Sequence, residues 1–294
     1  MESEGGVLRR GDAPRTLGPD GGYRLLDFGE GRKLEQFGLL RLDRPCPGTE
    51  EIPRAHPDLW LDADARFDGV SANAGRWESR AGLPERWTIG LGAVRLELKR
   101  CESGHVGLFP EQAANWDWLA GRVRSCAEPI RVLNLFAYTG GSTLACAAAG
   151  AEVTHVDAAR NVVEWARRNA ERSGLAGASI RWIAEDAAKF ARRELRRAHG
   201  YDAVILDPPS YGHGTHGEVW RLSQHLDRLL ATCAELTAGQ CRFVLLTCHT
   251  PGYDPARLEA MLREPFAGAT EGEFSSSTMV VRTPTGRELR CGAA

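Results

Sequence analysis

Most of this chain is predicted to be α/β, a doubly wound, mostly parallel, Rossmann-like sheet preceded by a smaller β-rich region. Three observations carry that expectation. Residues 131–157 read as a buried strand, a glycine turn, a helix of small residues and a second strand closed by Asp157, which is one β-α-β unit. From Ile130 onward, strand-like and helix-like stretches alternate. Acids also recur just past the strand tips, at Asp157, Asp186 and Asp207, where ligands bind in open α/β sheets.

In chain order, residues 1–20 are polar and aperiodic and read as a mobile tail. Residues 21–107 form the β-rich N-terminal domain, with strands at Tyr23–Phe28, Leu39–Leu42, Trp87–Ile89 and Ala93–Leu98 and a hairpin turn at Ile89–Ala93. Residues 108–294 form the second domain. Its first helix has Pro110 in its opening turn and Ala113, Trp116, Leu119 and Ala120 on its apolar face. Trp116 and Trp118 read as packing residues rather than base-stacking ones.

Strands then follow at 132–136, 153–156, 180–183, 203–206 and 243–246, with helices at 142–149, 158–173, 187–198, 216–236 and 255–263 between and after them. Strand-like pieces near 270–274 and 287–290 complete an antiparallel pair, so seven strands are expected in the sheet.

The 294 residues suffice for two domains, and no apolar run approaches the length of a membrane span. A hydrophobic signal core is absent from the first residues, so a cytoplasmic protein is expected. Eight cysteines without a C-x-x-C pair suggest free thiols, with neither disulfides nor zinc. A net charge of -2 gives no global field for nucleic acid, although all but three of the 37 basic residues are arginine. The Arg192, Arg193, Arg196, Arg197 cluster reads as a solvated helix face.

The turn after the first parallel strand decides the cofactor. Only Gly140 and Gly141 stand there, behind bulky Phe136 and Tyr138, so the G-x-G-x-x-G fingerprint for a pyrophosphate is missing. S-adenosylmethionine fits better than a nicotinamide or flavin cofactor. Its ribose is expected on Asp157 and its amino-acid end over Phe136, Ala137, Tyr138, Thr139 and Gly140, with Asp186 and Ala187 at the adenine. An N-cap role for Asp186 fits its position equally well.

After the fourth parallel strand, Asp207-Pro208-Pro209-Ser210-Tyr211 gives a rim of acceptors without donors, suited to an amino-bearing base or a sulfonium. After the fifth, Cys248 is expected at the pocket mouth, as an inert thiol or as a nucleophile, and His249 beside it points to the opposite face. The run Gly212–Glu218, with His213 and His216, reads as a flexible substrate loop rather than a metal site.

At these residues the chain resembles the class I S-adenosylmethionine-dependent methyltransferases, and more narrowly the bacterial group related to the 23S ribosomal RNA cytosine-C5 enzymes. The resemblance runs from about residue 104 to 292. It rests on Val132–Gly140, Val156-Asp157-Ala158, Asp186-Ala187, Asp207–Tyr211 and the lead-in segment Gly107–Gln112. It implies RNA as the partner and a donor contact from Gln112. Catalysis falls to Asp207, Pro208, Pro209 and Cys248, with the thiol adding to cytosine carbon 6. Methylation of an exocyclic amino nitrogen, a small-molecule or protein acceptor, and a non-catalytic donor-binding module are the other expectations.

Overall fold

The computed structural model describes residues 22–69, 75–213, 217–267 and 273–294. The expected tail and His216 lie outside these residues. The chain divides into two compact units. One comprises residues up to Leu91 with Leu98–Val106 and Arg282–Arg287, and the other Gly92–Glu97, Gly107–Val281 and Glu288–Ala294.

The first unit is a five-stranded sheet in chain order: β1 (Tyr23–Gly29), β2 (Arg32–Phe37), β3 (Leu40–Pro45), β4 (Ala65–Gly69) and β5 (Gly75–Ser79). Neighbours are antiparallel except β3 and β4. Strands β2, β4 and β5 escape sequence reading because they are short and charged, and their apolar residues, such as Leu34, Phe37 and Phe67, are few. Strand β6 (Arg86–Leu91) follows, and the expected turn narrows to Gly92-Ala93 before β7 (Val94–Lys99).

Three carboxylates, Asp27, Glu35 and Asp43, are buried in this unit among the described residues. Glu35 meets Arg44 at 2.6 Å and accepts from the Tyr23 hydroxyl at 3.1 Å. Burial works to raise its pKa, but the charges of Arg44 and Lys33 outweigh it and hold the carboxyl below the usual range. Asp27, with no exposed surface, accepts from the amides of Ala55 and His56, from the Trp60 indole at 3.0 Å, and from the Arg287 guanidinium at 2.6 Å.

After Gly92–Glu97 the second unit continues with a 3-10 turn at Pro110–Gln112, and α1 (Ala113–Arg124) buries Trp116, Leu119, Ala120 and Val123. There follow β8 (Arg131–Leu135), α2 (Gly141–Ala148), β9 (Glu152–Asp157), α3 (Arg160–Arg172), β10 (Ile180–Ala184), α4 (Ala187–Arg196) and β11 (Ala203–Leu206). After a hairpin of β12 (Tyr211–His213) and β13 (Val219–Arg221) come α5 (Leu222–Leu236), β14 (Phe243–Leu246) and α6 (Pro255–Phe266), and then β15 (Thr278–Arg282) and β16 (Glu288–Ala293).

The parallel sheet runs β10-β9-β8-β11-β14. Alternation along each strand feeds two cores. Leu133, Leu135, Val204, Leu206 and Leu246 meet α4, α5 and α6 on one face, while Val132, Ala203, Ile205 and Leu245 meet α1 and α2 on the other. Burial on both faces is why these strands read as continuous apolar runs. No helix among the described residues is long and apolar enough to cross a membrane.

Three expectations are corrected. The hydrogen-bonded parallel sheet has five strands rather than seven, because β15 and β16 form their own two-stranded ribbon that reaches the sheet's end at one bridge, Cys248 with Ala293. Gly292 (φ 150) permits that approach, since a Cβ there would lie 2.5 Å from the Cys248 carbonyl oxygen. The ribbon also starts later than expected: residues 270–272 are outside the description and Phe274 is not in a strand. Finally, α5 begins at Leu222, because Val219–Arg221 pairs with Tyr211–His213 instead.

Arg287→Met should destabilise the protein by about 3 kcal/mol or more, since it strips the buried Asp27 carboxylate of its charged partner. Urea unfolding within about 0.5 kcal/mol of wild type would show that the amides and the indole suffice without it.

Candidate active site

The strand order places β8 between β9 and β11, so the crevice at the switch point opens at the carboxyl ends of β8 and β11. The turn leaving β8 is unusual in its backbone. Phe136 (φ 57) and Tyr138 (φ 48) both adopt left-handed conformations that L-residues avoid, and Gly140 (φ 94) caps α2. Such a turn persists only if its surroundings over-determine it. The Tyr138 amide donates to Asp157 Oδ2 at 2.9 Å, the Thr139 hydroxyl to the Gly107 carbonyl at 2.7 Å, and Asn169 Nδ2 to the Thr139 carbonyl at 2.9 Å. The Phe136 ring lies 4.8 Å from that of Trp220.

Asp157 ends β9 half-buried. Besides Tyr138 it accepts from the Ala159 amide at 3.0 Å through Oδ1, so each oxygen keeps one acceptor position, the requirement for holding the two hydroxyls of a ribose. Burial raises its pKa, and the two amide bonds pull the other way. Trp116 fills the side of Gly141 where a Cβ would stand, only 2.2 Å from the indole, so the start of α2 requires glycine there. Asp186 is the N-cap of α4, accepting from the Lys189 amide at 2.8 Å, and Ala187 is buried behind it.

The second group centres on Asp207, which lines a cleft with Phe109, Gln112, Asn134, Tyr138 and Ser142. The Thr247 hydroxyl donates to Asp207 Oδ1 at 2.6 Å and Gln112 Nε2 to Oδ2 at 3.1 Å. Gln112 also reaches the Thr247 hydroxyl at 3.1 Å and is itself oriented by Asn115 Nδ2 at 2.8 Å. His249 approaches from the other side, Nε2 3.6 Å from Asp207 Oδ1 and Nδ1 3.6 Å from Glu111 Oε1. Burial alone would lower its pKa. Asp207, Glu111 and the Cys291 carbonyl together bring it up to about 9, so the ring is cationic at neutral pH.

Sequence reasoning missed Thr247, Asn115 and Glu111 as members of this group, and it weighed His249 only as a partner for Cys248. Alternation beyond β14 was the available signal, because Thr247 and His249 share the face that looks toward Asp207. By the same alternation Cys248 turns away. It has no exposed surface and sits in the core with Leu206, Leu246, Tyr253 and Leu258, its sulfur accepting only a Thr250 amide contact at 3.4 Å. The thiol expected at the pocket mouth therefore lies beneath it.

The rim is also less bare than expected. Pro208 is buried, and the carbonyl of the exposed Pro209 already accepts from the Trp220 indole at 2.7 Å. Tyr211 stands 53% exposed on the hairpin just beyond. In the arginine cluster, Arg192, Arg196 and Arg197 are exposed as expected, whereas Arg193 pairs with Glu185 and lies over the Phe190 ring.

A five-stranded sheet in this order, with a ribose-type acid after its second strand and an Asp-Pro-Pro rim after its fourth, defines the class I methyltransferase fold. The comparisons agree. A family model for S-adenosylmethionine-dependent methyltransferases matches residues 59–271. The crystal structure of the SAM-dependent methyltransferase from Agrobacterium tumefaciens is 40% identical, with a TM-score of 0.87, covering 92% of this chain and 88% of that one. The chain belongs to the S-adenosylmethionine-dependent methyltransferase family.

A methyltransferase structure complexed with SAH shares the fold at a TM-score of 0.65 and 17% identity, over 90% of this chain and 71% of that one. Among curated relatives, ribosomal RNA large subunit methyltransferase I of Aeromonas hydrophila is 38% identical over 41% of this chain and 30% of its own length. The K/L enzyme of Allochromatium vinosum is 35% identical over 40% of this chain and 16% of its own. The match thus spans less than a third of either relative.

Asp157→Ala is expected to weaken S-adenosylmethionine binding by about 1.5–3 kcal/mol, the worth of hydrogen bonds to a charged group. Calorimetry giving unchanged affinity in a folded variant would take Asp157 out of the donor site.

Proposed function

We propose that this protein methylates a base of large-subunit ribosomal RNA in the cytoplasm, at an exocyclic amino nitrogen that Asp207 orients. The observation that supports this most is the fixed carboxylate of Asp207. Thr247 and His249 meet Oδ1 and Gln112 meets Oδ2, and the acceptor position left on Oδ2 belongs to a group lining the cleft. The names of the curated relatives support RNA as the substrate, and the exposed Tyr211 beside the rim offers a face on which an unstacked base can lie.

S-adenosylmethionine, held by the β8 turn and Asp157, supplies an electrophilic methyl carbon. Asp207 accepts a hydrogen bond from the base's N–H and so directs the nitrogen lone pair at that carbon. As the N–C bond forms, the donor's carbon–sulfur bond would break and the donor would leave as neutral S-adenosylhomocysteine, while the nitrogen's proton passes to Asp207 and then to water. Phe109 and Tyr138, with ring centroids 5.4 Å apart, line the cleft with apolar surface.

Methylation at cytosine C5 through Cys248 is the second chemistry. It needs the thiol to leave the core in which it has no exposed surface. Both chemistries are separable by experiment.

Mass spectrometry of ribosomal RNA from a deletion strain should show the loss of one methylated nucleoside, regained by adding the enzyme. With that RNA, Asp207→Ala should lower kcat by about 100-fold or more while leaving donor affinity near wild type. Equal losses in both would make Asp207 a cofactor residue. Cys248→Ala should methylate at close to the wild-type rate, and RNA containing 5-fluorocytosine should form no adduct. A covalent adduct with the wild type would move the reaction to C5.

A further inference from the structure

His249, one third of whose side chain is exposed, meets three oxygen acceptors from three separate stretches of chain. Nδ1 lies 2.8 Å from the Cys291 carbonyl and 3.6 Å from Glu111 Oε1, and Nε2 lies 3.6 Å from Asp207 Oδ1. The Phe109 ring covers it at 5.9 Å. A neutral imidazole must turn one lone pair outward, and here the neighbours of both nitrogens among the described residues are acceptors. Glu111 comes from the 3-10 turn before α1, Asp207 from the tip of β11, and Cys291 from β16. These three groups are the polar ones that face the ring among the described residues.

The Glu111 side chain is only 8% exposed, against 30% for Asp207. A carboxylate that far from water needs a cation beside it, and His249 is positioned to serve both acids at once. Gln112, the next residue, reaches Asp207 directly. The lead-in segment is therefore joined to the catalytic tip twice, by Gln112 to Asp207 and by Glu111 through His249.

We infer that His249 is a positioning residue for methyl transfer. Clamped between Glu111 and Asp207, its ring fixes the Asp207 carboxylate against the cleft and ties the Glu111-Gln112 segment to the tips of β11 and β14. The inference rests on the reading that Asp207 engages the acceptor base. The raised pKa sets the range over which the clamp acts: the ring carries its charge below about pH 9 and loses it above, so the contact is present at neutral pH and released in alkali.

Two measurements on the full-length protein test this. In the first, the His249 ring is followed by NMR of histidine-labelled enzyme between pH 6 and 10. The expected result is a doubly protonated ring at pH 7 that titrates near 9, and whose titration moves to lower pH by about a unit in Asp207→Asn and again in Glu111→Gln. A neutral ring at pH 7, or a titration that neither substitution moves, overturns the inference. This arm needs no substrate.

The second measures methyl transfer to large-subunit ribosomal RNA from a deletion strain. His249→Gln should reduce kcat by about 10- to 100-fold with little change in donor KM, and His249→Lys, which restores a cation, should recover much of the loss and keep it above pH 9. Wild-type kcat in His249→Gln overturns the positioning role. If the RNA takes no methyl from the wild type, the substrate reading fails, and the NMR titration still decides the clamp. If Asp207→Asn keeps full activity, the role of Asp207 fails and that of His249 with it.

Discussion

The donor side of this structure depends on holding two bulky residues, Phe136 and Tyr138, in left-handed conformations within three positions of chain. Each such residue costs on the order of 1–3 kcal/mol. The cost is met by contacts from outside the turn, chiefly Asp157 on the Tyr138 amide and Asn169 on the Thr139 carbonyl. Asn169 in turn accepts from the Glu97 amide at 2.8 Å, and Glu97 is paired with Arg172 at 2.6 Å. Asp157 is thus also a structural brace, and the turn after β8 and the carboxylate proposed to hold the ribose are built as one piece.

The acceptor side follows a different logic. Asp207 is fixed not by its own strand but by side chains from β14's end and from the lead-in segment, Thr247 and Gln112. Three separate stretches of chain must therefore converge before the carboxylate has a defined direction. The turn after β8 is braced by the neighbouring strand β9, by the helix α3 that follows it, and by the Gly107 carbonyl. In the proposed reading, this division puts the methyl donor on the more local part of the fold and the acceptor on the more distributed one.

What was legible in the sequence tracks what is local. The strands at 203–206 and 243–246 are found where the apolar runs placed them, because burial on both faces leaves few polar interruptions. The acids at the tips of β9, β10 and β11 were equally readable, since the period of the β-α units fixes where strands end. The β12–β13 hairpin was not, because three-residue strands carry no periodicity. The Glu111–His249–Asp207 cluster joins residues up to 138 positions apart, and no local pattern encodes it. Cys248 is the instructive case: its place in the chain was read correctly, but one step of alternation separates the core face from the site face, and the thiol is on the core side.

The Asp27–Arg287 pair sets an order on biogenesis. The two residues are 260 positions apart yet close the same unit. At about 5–20 residues per second, synthesis leaves an interval of about 13–50 s between the appearance of the acid and that of its cation. During that time the nascent sheet around Asp27 can recruit the amides and the indole but not the charge. The unit that contains Asp27 is consequently completed only after nearly all of the second unit has been synthesised, once Arg287 is made.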